Sequence, residues 1–135
     1  AARGNAALNG VAERVEFFEG DLFSPLPARL KGKADIVVAN PPYVTWAEME
    51  GLAPEVRDFE PVTALLGGAD GLVFIRRIIA GAPEYLKTGG LLLIEIGYSQ
   101  SAEVKKIAEA DGRYSEEATG KDYSGIERIF SARLK

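Results

Sequence analysis

Asn40-Pro41-Pro42-Tyr43 gathers groups that accept hydrogen bonds or present a flat face. The Asn40 side-chain oxygen accepts, and Pro41 keeps its backbone carbonyl while lacking an N–H donor. Two adjacent acceptors suit a planar NH2 group. Each takes one N–H bond, and together they fix where the nitrogen lone pair points. The prolines hold φ near about −65°, so the acceptors are set before a ligand arrives. The Tyr43 ring suits stacking on such a group and equally suits core packing. An Asn after a strand can also satisfy only its own turn.

These residues need an element to position them. Asp35-Ile36-Val37-Val38-Ala39 reads as a buried parallel strand. The motif then sits at the carboxyl edge of a sheet, where open α/β folds bind ligands. Leu91–Gly97 reads as a second buried strand, bringing Glu95 to the same edge, where it meets the loop, the substrate or solvent. Val15–Glu19 reads as a further strand ended by Gly20-Asp21, which presents Asp21 and Leu22. Leu72, Ile75, Ile79 and Leu86 form a helical stripe. Pro83 is expected to kink or split that helix, and Gly89-Gly90 to end it. Val104, Ile107 and Ala108 mark another helix, stopped by Gly112. Ala1–Gly10 reads as the end of a helix with an Asn9-Gly10 stop. Ser24-Pro25-Leu26-Pro27 is a turn.

Residues 40–71, punctuated by proline and glycine, predict a long irregular excursion with short helical turns near Trp46–Gly51. Trp46 reads as a lid aromatic or as packing. Tyr114–Thr119 and Glu127–Leu134 predict a terminal antiparallel hairpin. Strands alternating with helices define one α/β domain.

Composition removes other chemistries. The 135 residues include no His and no Cys, which excludes a Ser-His-Asp triad, a thiolate nucleophile and zinc–thiolate sites. Lys and Arg number 16 against 20 Asp and Glu, for a formal charge of −4, whereas a tight nucleic-acid binder carries a basic surface. No apolar run approaches the ~20 residues that span a bilayer. No secretory signal is visible, so a cytoplasmic location is expected. Gly67-Gly68 lacks the Lys-Ser/Thr of a phosphate-binding loop.

Several segments together carry a resemblance. Gly20-Asp21-Leu22-Phe23, Asp35–Tyr43, Pro54-Glu55-Val56-Arg57-Asp58-Phe59-Glu60-Pro61, Gly67-Gly68-Ala69-Asp70-Gly71-Leu72, Tyr85–Gly90 and Glu95-Ile96-Gly97 resemble the protein-(glutamine-N5) methyltransferase family (HemK/PrmC). Asn-Pro-Pro-Tyr is also shared with nucleic-acid amino-methyltransferases, and the two segments 54–61 and 67–72 narrow the likeness. The resemblance implies a Rossmann-like sheet, mostly parallel with a C-terminal antiparallel hairpin, and S-adenosylmethionine as cofactor. It implies methylation of the glutamine side chain in the Gly-Gly-Gln motif of class I peptide-chain release factors, with no direct nucleic-acid partner.

The resemblance further implies that a helical substrate-recognition domain, a Gly-rich cofactor loop and the first two strands precede Ala1. Residues 1–135 would then be the later part of a catalytic domain. Asn40 and Pro41 would hold the substrate amide, Pro42 and Tyr43 would frame it, and Asp21, Leu22 and Asn40 would bind the cofactor, with Asp21 and Leu22 at the adenine. Glu55, Arg57, Asp58 and Glu60 are expected to organise the loop. Amino-methylation of adenine or guanine, and a non-catalytic scaffold, are the competing readings.

The family sheet order, 3-2-1-4-5-7-6, makes a further demand. With strands 1 and 2 missing, Val15–Glu19 would stand roughly 14 Å from Asp35–Ala39, given parallel neighbours about 4.8 Å apart. It must pair directly, find another chain or be rearranged, because a buried backbone cannot stay unpaired.

Overall fold

The computed structural model describes residues 1–51 and 61–135. Four strands form one sheet: β1 (Ala34–Ala39), β2 (Leu86–Glu95), β3 (Tyr114–Lys121) and β4 (Glu127–Leu134). Their order is β1-β2-β4-β3, with β1 parallel to β2 and β4 antiparallel to both β2 and β3. This reproduces the last four places of the order expected from the resemblance.

Two helices cover one face. α4 (Val73–Gly81) bridges the parallel strands and α5 (Ser101–Asp111) precedes the hairpin. Ile75, Ile78 and Ile79 of α4 and Val104 and Ala108 of α5 meet Leu92, Ile94, Phe130 and Ala132 in one core. The period-two pattern of β2 puts Leu92 and Ile94 on that face. Pro83 splits the helical run as expected: α4 stops at Gly81, and Ala82–Glu84 form a 3-10 turn. Gly112, at φ +76°, caps α5 in the left-handed conformation that glycine adopts without a Cβ penalty. The first helix, α1 (Ala2–Leu8), ends at Asn9, and Gly10 supplies the positive φ of +67°.

Four expectations change. Val15–Glu19 forms no strand; Val15 and Phe18 are exposed, and the segment is held by Arg3 donating to the Phe17 carbonyl and by an Arg29–Glu16 ion pair. Direct pairing with β1 is therefore not the outcome: among the described residues no strand pairs with this backbone. The strand Asp35–Ala39 exists but is not buried. β1 pairs on one side only among the described residues, and Ile36 and Val38 are 55% and 73% exposed on the face away from the helices. Leu86 is buried, but as the first residue of β2 rather than the last of a helical stripe. Gly89-Gly90 lies inside β2, where the register jumps between Ala34↔Leu86 and Ile36↔Leu91.

Tyr114 ties β3 to the helix layer. Its hydroxyl donates to the Ile79 carbonyl at 2.6 Å near the end of α4. Burial pushes this phenol well above its ordinary value of 10.0. Its protonated form is the one folding favours, so its contribution is complete below about pH 10 and is lost as pH rises toward the folded-state value. Tyr114→Phe is expected to cost about 1 kcal/mol in urea unfolding at neutral pH. The difference between the two proteins should shrink above pH 10; a constant difference up to pH 12 would contradict this (both limits are approximate).

Candidate active site at the carboxyl edge of the parallel strands

β1 and β2 run parallel, so Asn40 and the Ile96-Gly97 turn leave the sheet at the same edge. The motif follows β1 directly. Pro41 is buried, Pro42 and Tyr43 are half-buried, and Asn40 is exposed. α2 (Trp46–Met49) begins after it with a reciprocal cap: Glu48 N–H donates to Thr45 Oγ1 at 3.2 Å and Thr45 N–H to Glu48 Oε2 at 2.9 Å. Trp46 is 62% exposed, so its ring is not core packing. α3 (Val62–Leu65) returns the chain, with Val44 N–H donating to the Leu65 carbonyl and Gly67 N–H to the Val44 carbonyl. The expected roles of Glu55, Arg57, Asp58 and Glu60 lie outside the described residues.

Asn40, Pro41 and Pro42 form a wall shared by two spaces. On one side lies a pocket of about 280 Å³ that also takes Asp21, Leu22, Phe74 and Ile78. On the other lies a pocket of about 240 Å³ that takes Tyr43, Val44, Ala64 and Leu65. The fold therefore gathers the sequence-predicted residues Asp21, Leu22, Asn40, Pro41, Pro42 and Tyr43 around one wall. Beyond Tyr43 opens a wider cleft of about 630 Å³, whose lining includes Glu48, Asp70, Tyr98, Gln100 and Arg128. A separate apolar cavity of about 430 Å³ sits under the 22–30 turn, where Phe23 stacks on Tyr85.

Asp21 is exposed and ion-paired: Arg77 donates to its Oδ2 at 2.6 Å. Its Oδ1 has no hydrogen-bond partner among the described residues, so an acceptor remains beside the pocket. Leu22 is held at φ +50°, a conformation leucine rarely adopts. Tyr43 donates to Glu95 Oε1 at 3.1 Å, so Glu95 touches the loop, one of the places expected for it. Burial first, and then the bond to Glu95, push the Tyr43 phenol above its ordinary value and keep it a donor. Tyr43→Phe keeps the ring and removes this bond; a loss of about 1 kcal/mol in urea unfolding is expected. Unchanged stability would show that the pair is idle.

Three glycines seat the motif. A Cβ on Gly67 would lie 2.7 Å from Tyr43 Cα, one on Gly71 2.2 Å from the Tyr43 carbonyl oxygen, and one on Gly97 2.9 Å from Gln100 Oε1. Gly67 thus packs directly on the motif, whereas a Cβ on Gly68 would meet Val73 at the start of α4. Gln100 and the Arg77 partner of Asp21 are the residues that sequence reasoning missed. The signal for Gln100 was slight: a long amide side chain placed just after the Gly97-Tyr98-Ser99 turn.

One parallel strand pair continued by an antiparallel hairpin, with Asn40 and Pro41 directly after the first parallel strand, is the arrangement expected of the later part of a Rossmann-like methyltransferase sheet. Relatives make the class specific. The chain is 43% identical over 133 residues to the release factor glutamine methyltransferase of Geobacter sulfurreducens, covering 98% of the chain and 45% of the relative. It is 42% identical over 132 residues to that of Synechocystis sp., covering 98% and 44%. The chain is homologous to this family over nearly all of its own length, and it spans less than half the length of these relatives. Among solved structures, a protein-(glutamine-N5) methyltransferase (release factor-specific) from Alicyclobacillus acidocaldarius is similar at 25% identity and a TM-score of 0.47, covering 75% of the chain and 48% of that protein. No family model matches the chain.

Proposed function

We propose that the chain belongs to the catalytic part of an enzyme that methylates the side-chain amide nitrogen of a protein glutamine. The acceptor in this reading is the Gly-Gly-Gln motif of class I peptide-chain release factors, in the cytoplasm. Residues 1–135 are read as the later part of that catalytic domain. The observation that carries the proposal is the wall of Asn40, Pro41 and Pro42 between the Asp21–Leu22 pocket and the Tyr43 pocket. Among the described residues no helix is long and apolar enough to cross a membrane.

The residues present fit part of S-adenosylmethionine. Asp21 Oδ1 would accept from an adenine amino group, and Leu22, Phe74 and Ile78, which line the same pocket, would supply apolar surface. The space of about 280 Å³ is just under the ~300 Å³ lower end of ligand pockets, which suits one portion of the cofactor rather than all of it. When bound, the cofactor supplies an electrophilic methyl group.

The protein's work is orientation. A glutamine amide nitrogen is a poor nucleophile because its lone pair is delocalised into the carbonyl. Asn40 Oδ1 and the Pro41 carbonyl would accept its two N–H bonds and turn the lone pair toward the Asp21–Leu22 side of the wall. Tyr43, fixed by Glu95, would lie against the amide plane. Such orientation supplies up to roughly 7–11 kcal/mol in favourable cases. No base is needed before transfer, because the proton leaves afterward from a more acidic product. This suits a chain without His.

The test offers methyl-labelled cofactor with a class I release factor, with RNA and with DNA. Label in the release factor alone supports the proposal. Label in nucleic acid alone assigns the site to base methylation, and label in none of them favours the scaffold reading.

A further inference from the structure

Gln100 is the N-cap residue of α5, yet its side chain makes no capping bond to that helix. It reaches instead across the sheet edge. Its Oε1 accepts from Gly97 N–H at 2.7 Å, and its Nε2 donates to the Tyr43 carbonyl at 3.2 Å and, more weakly, to the Gly71 carbonyl at 3.4 Å. A carboxamide has the required set: one oxygen to accept and an NH2 with two donors for two carbonyls. A carboxylate in the same place would set oxygen against oxygen. A hydrophobic side chain would leave three backbone groups without this partner.

The three segments joined in this way are the exit of the motif, the Gly67–Gly71 turn and the end of β2. The exit is also held from the other side, by Val44 N–H on the Leu65 carbonyl and by Gly67 N–H on the Val44 carbonyl. The entry is fixed by the pairing of Ala39 with Ile94 in the sheet. Between entry and exit lie Pro41 and Pro42, whose φ angles are locked by their rings. A stiff segment clamped at both ends transmits a rotation at one end to the other. The orientation of the Pro41 carbonyl therefore depends on the hold on Tyr43.

We infer that Gln100 is a positioning residue for the acceptor pair: its amide holds the Tyr43 carbonyl and thereby sets the angle at which Pro41 and Asn40 meet a substrate NH2 group. This rests on the proposed function for its catalytic consequence, and on the hydrogen bonds alone for its effect on the motif. Gln100 touches neither substrate nor cofactor in this scheme. It acts through Tyr43.

Two substitutions separate a positioning role from a merely structural one. Gln100→Met keeps the length of the side chain and removes all three bonds. Gln100→Glu keeps the acceptor for Gly97 and inverts only the donor side. Should Gln100→Met fail to fold, Gln100→Glu carries the test, because the bond to Gly97 survives in it.

Amide hydrogen exchange of Val44 and Gly67 is expected to accelerate about tenfold in both variants, while exchange in the β2–β4 ladder is unchanged. In methyl transfer to a release factor, kcat is expected to fall about tenfold with KM for S-adenosylmethionine within about twofold. Unchanged exchange at Val44 and Gly67, or an unchanged kcat per folded molecule, overturns the inference. If the unsubstituted protein methylates no glutamine, the proposed function fails, and the exchange rates still decide whether Gln100 holds the motif.

Discussion

Asn40→Ala is expected to lower methyl transfer about 100-fold, while affinity for S-adenosylmethionine changes by less than about threefold. Asn40 borders both pockets of the wall, but its side-chain oxygen is the acceptor with no backbone substitute. Without it the substrate amide keeps one partner, the Pro41 carbonyl, and turns about that single bond. The lone pair then spends little time in line with the methyl group. A small misplacement of a reacting group costs on the order of a hundredfold, which sets the expected size. The cofactor, by contrast, keeps Asp21, Leu22 and the apolar surface of Phe74 and Ile78. Asn40 is exposed, so its loss opens no core cavity, and the unfolding midpoint should hardly move. Single-turnover rates with calorimetric cofactor binding make the measurement. Equal losses of rate and binding would assign Asn40 to the cofactor instead.

Gly71→Ala is expected to destabilise the fold by about 3 kcal/mol. Two costs combine. Gly71 has a φ of +71°, where a residue with a Cβ pays roughly 1–2 kcal/mol. The added Cβ would also lie 2.2 Å from the Tyr43 carbonyl oxygen and 2.5 Å from Gln100 Nε2. Relief of such a clash in a packed site adds roughly 1–3 kcal/mol. Gly10 is the internal control: its φ of +67° is similar, but nothing lies within 4 Å of a Cβ there. Gly10→Ala should show only the first cost, about 1 kcal/mol. Urea unfolding of both variants tests the difference. Equal effects at the two positions would show that Gly71 does not seat the motif.

The sequence announced those parts of the molecule whose signals are local. The run Leu91–Ile96 is apolar at five of six positions and bounded by Gly90 and Gly97, which reads as a short inner strand, and Leu92, Ile94 and Ile96 are indeed buried. Pro83 and Gly112 stopped their helices for reasons that reside in single residues. Asn40-Pro41-Pro42-Tyr43 was readable because its acceptors and its stiffness are properties of four adjacent residues. What failed was what depends on a neighbour. Val15–Glu19 has a strand's composition, but a strand needs a ladder, and none meets it among the described residues. Val37 and Val38 have the same composition, yet only Val37 faces the helices.

Leu86 fits the helical spacing of Ile75 and Ile79, but the 3-10 turn at Pro83 breaks the period before it, so it enters the sheet. Gln100 escaped for the same kind of reason. Its partner Tyr43 lies 57 residues away, and nothing in the residues between announces that contact. Asp21 lines a pocket next to the motif, and its tie to Arg77 follows only from how the 22–30 turn lies over α4.

The central claim is that the wall formed by Asn40, Pro41 and Pro42 presents a glutamine amide to a methyl donor. Mass spectrometry of a class I release factor, incubated with S-adenosylmethionine and the protein, tests it most directly. The account predicts one added methyl group on the side-chain nitrogen of the Gly-Gly-Gln glutamine, nearly absent when Asn40→Ala replaces the unsubstituted protein. A release factor left unmodified while nucleic acid is methylated, or the same glutamine methylated equally well by Asn40→Ala, would contradict it.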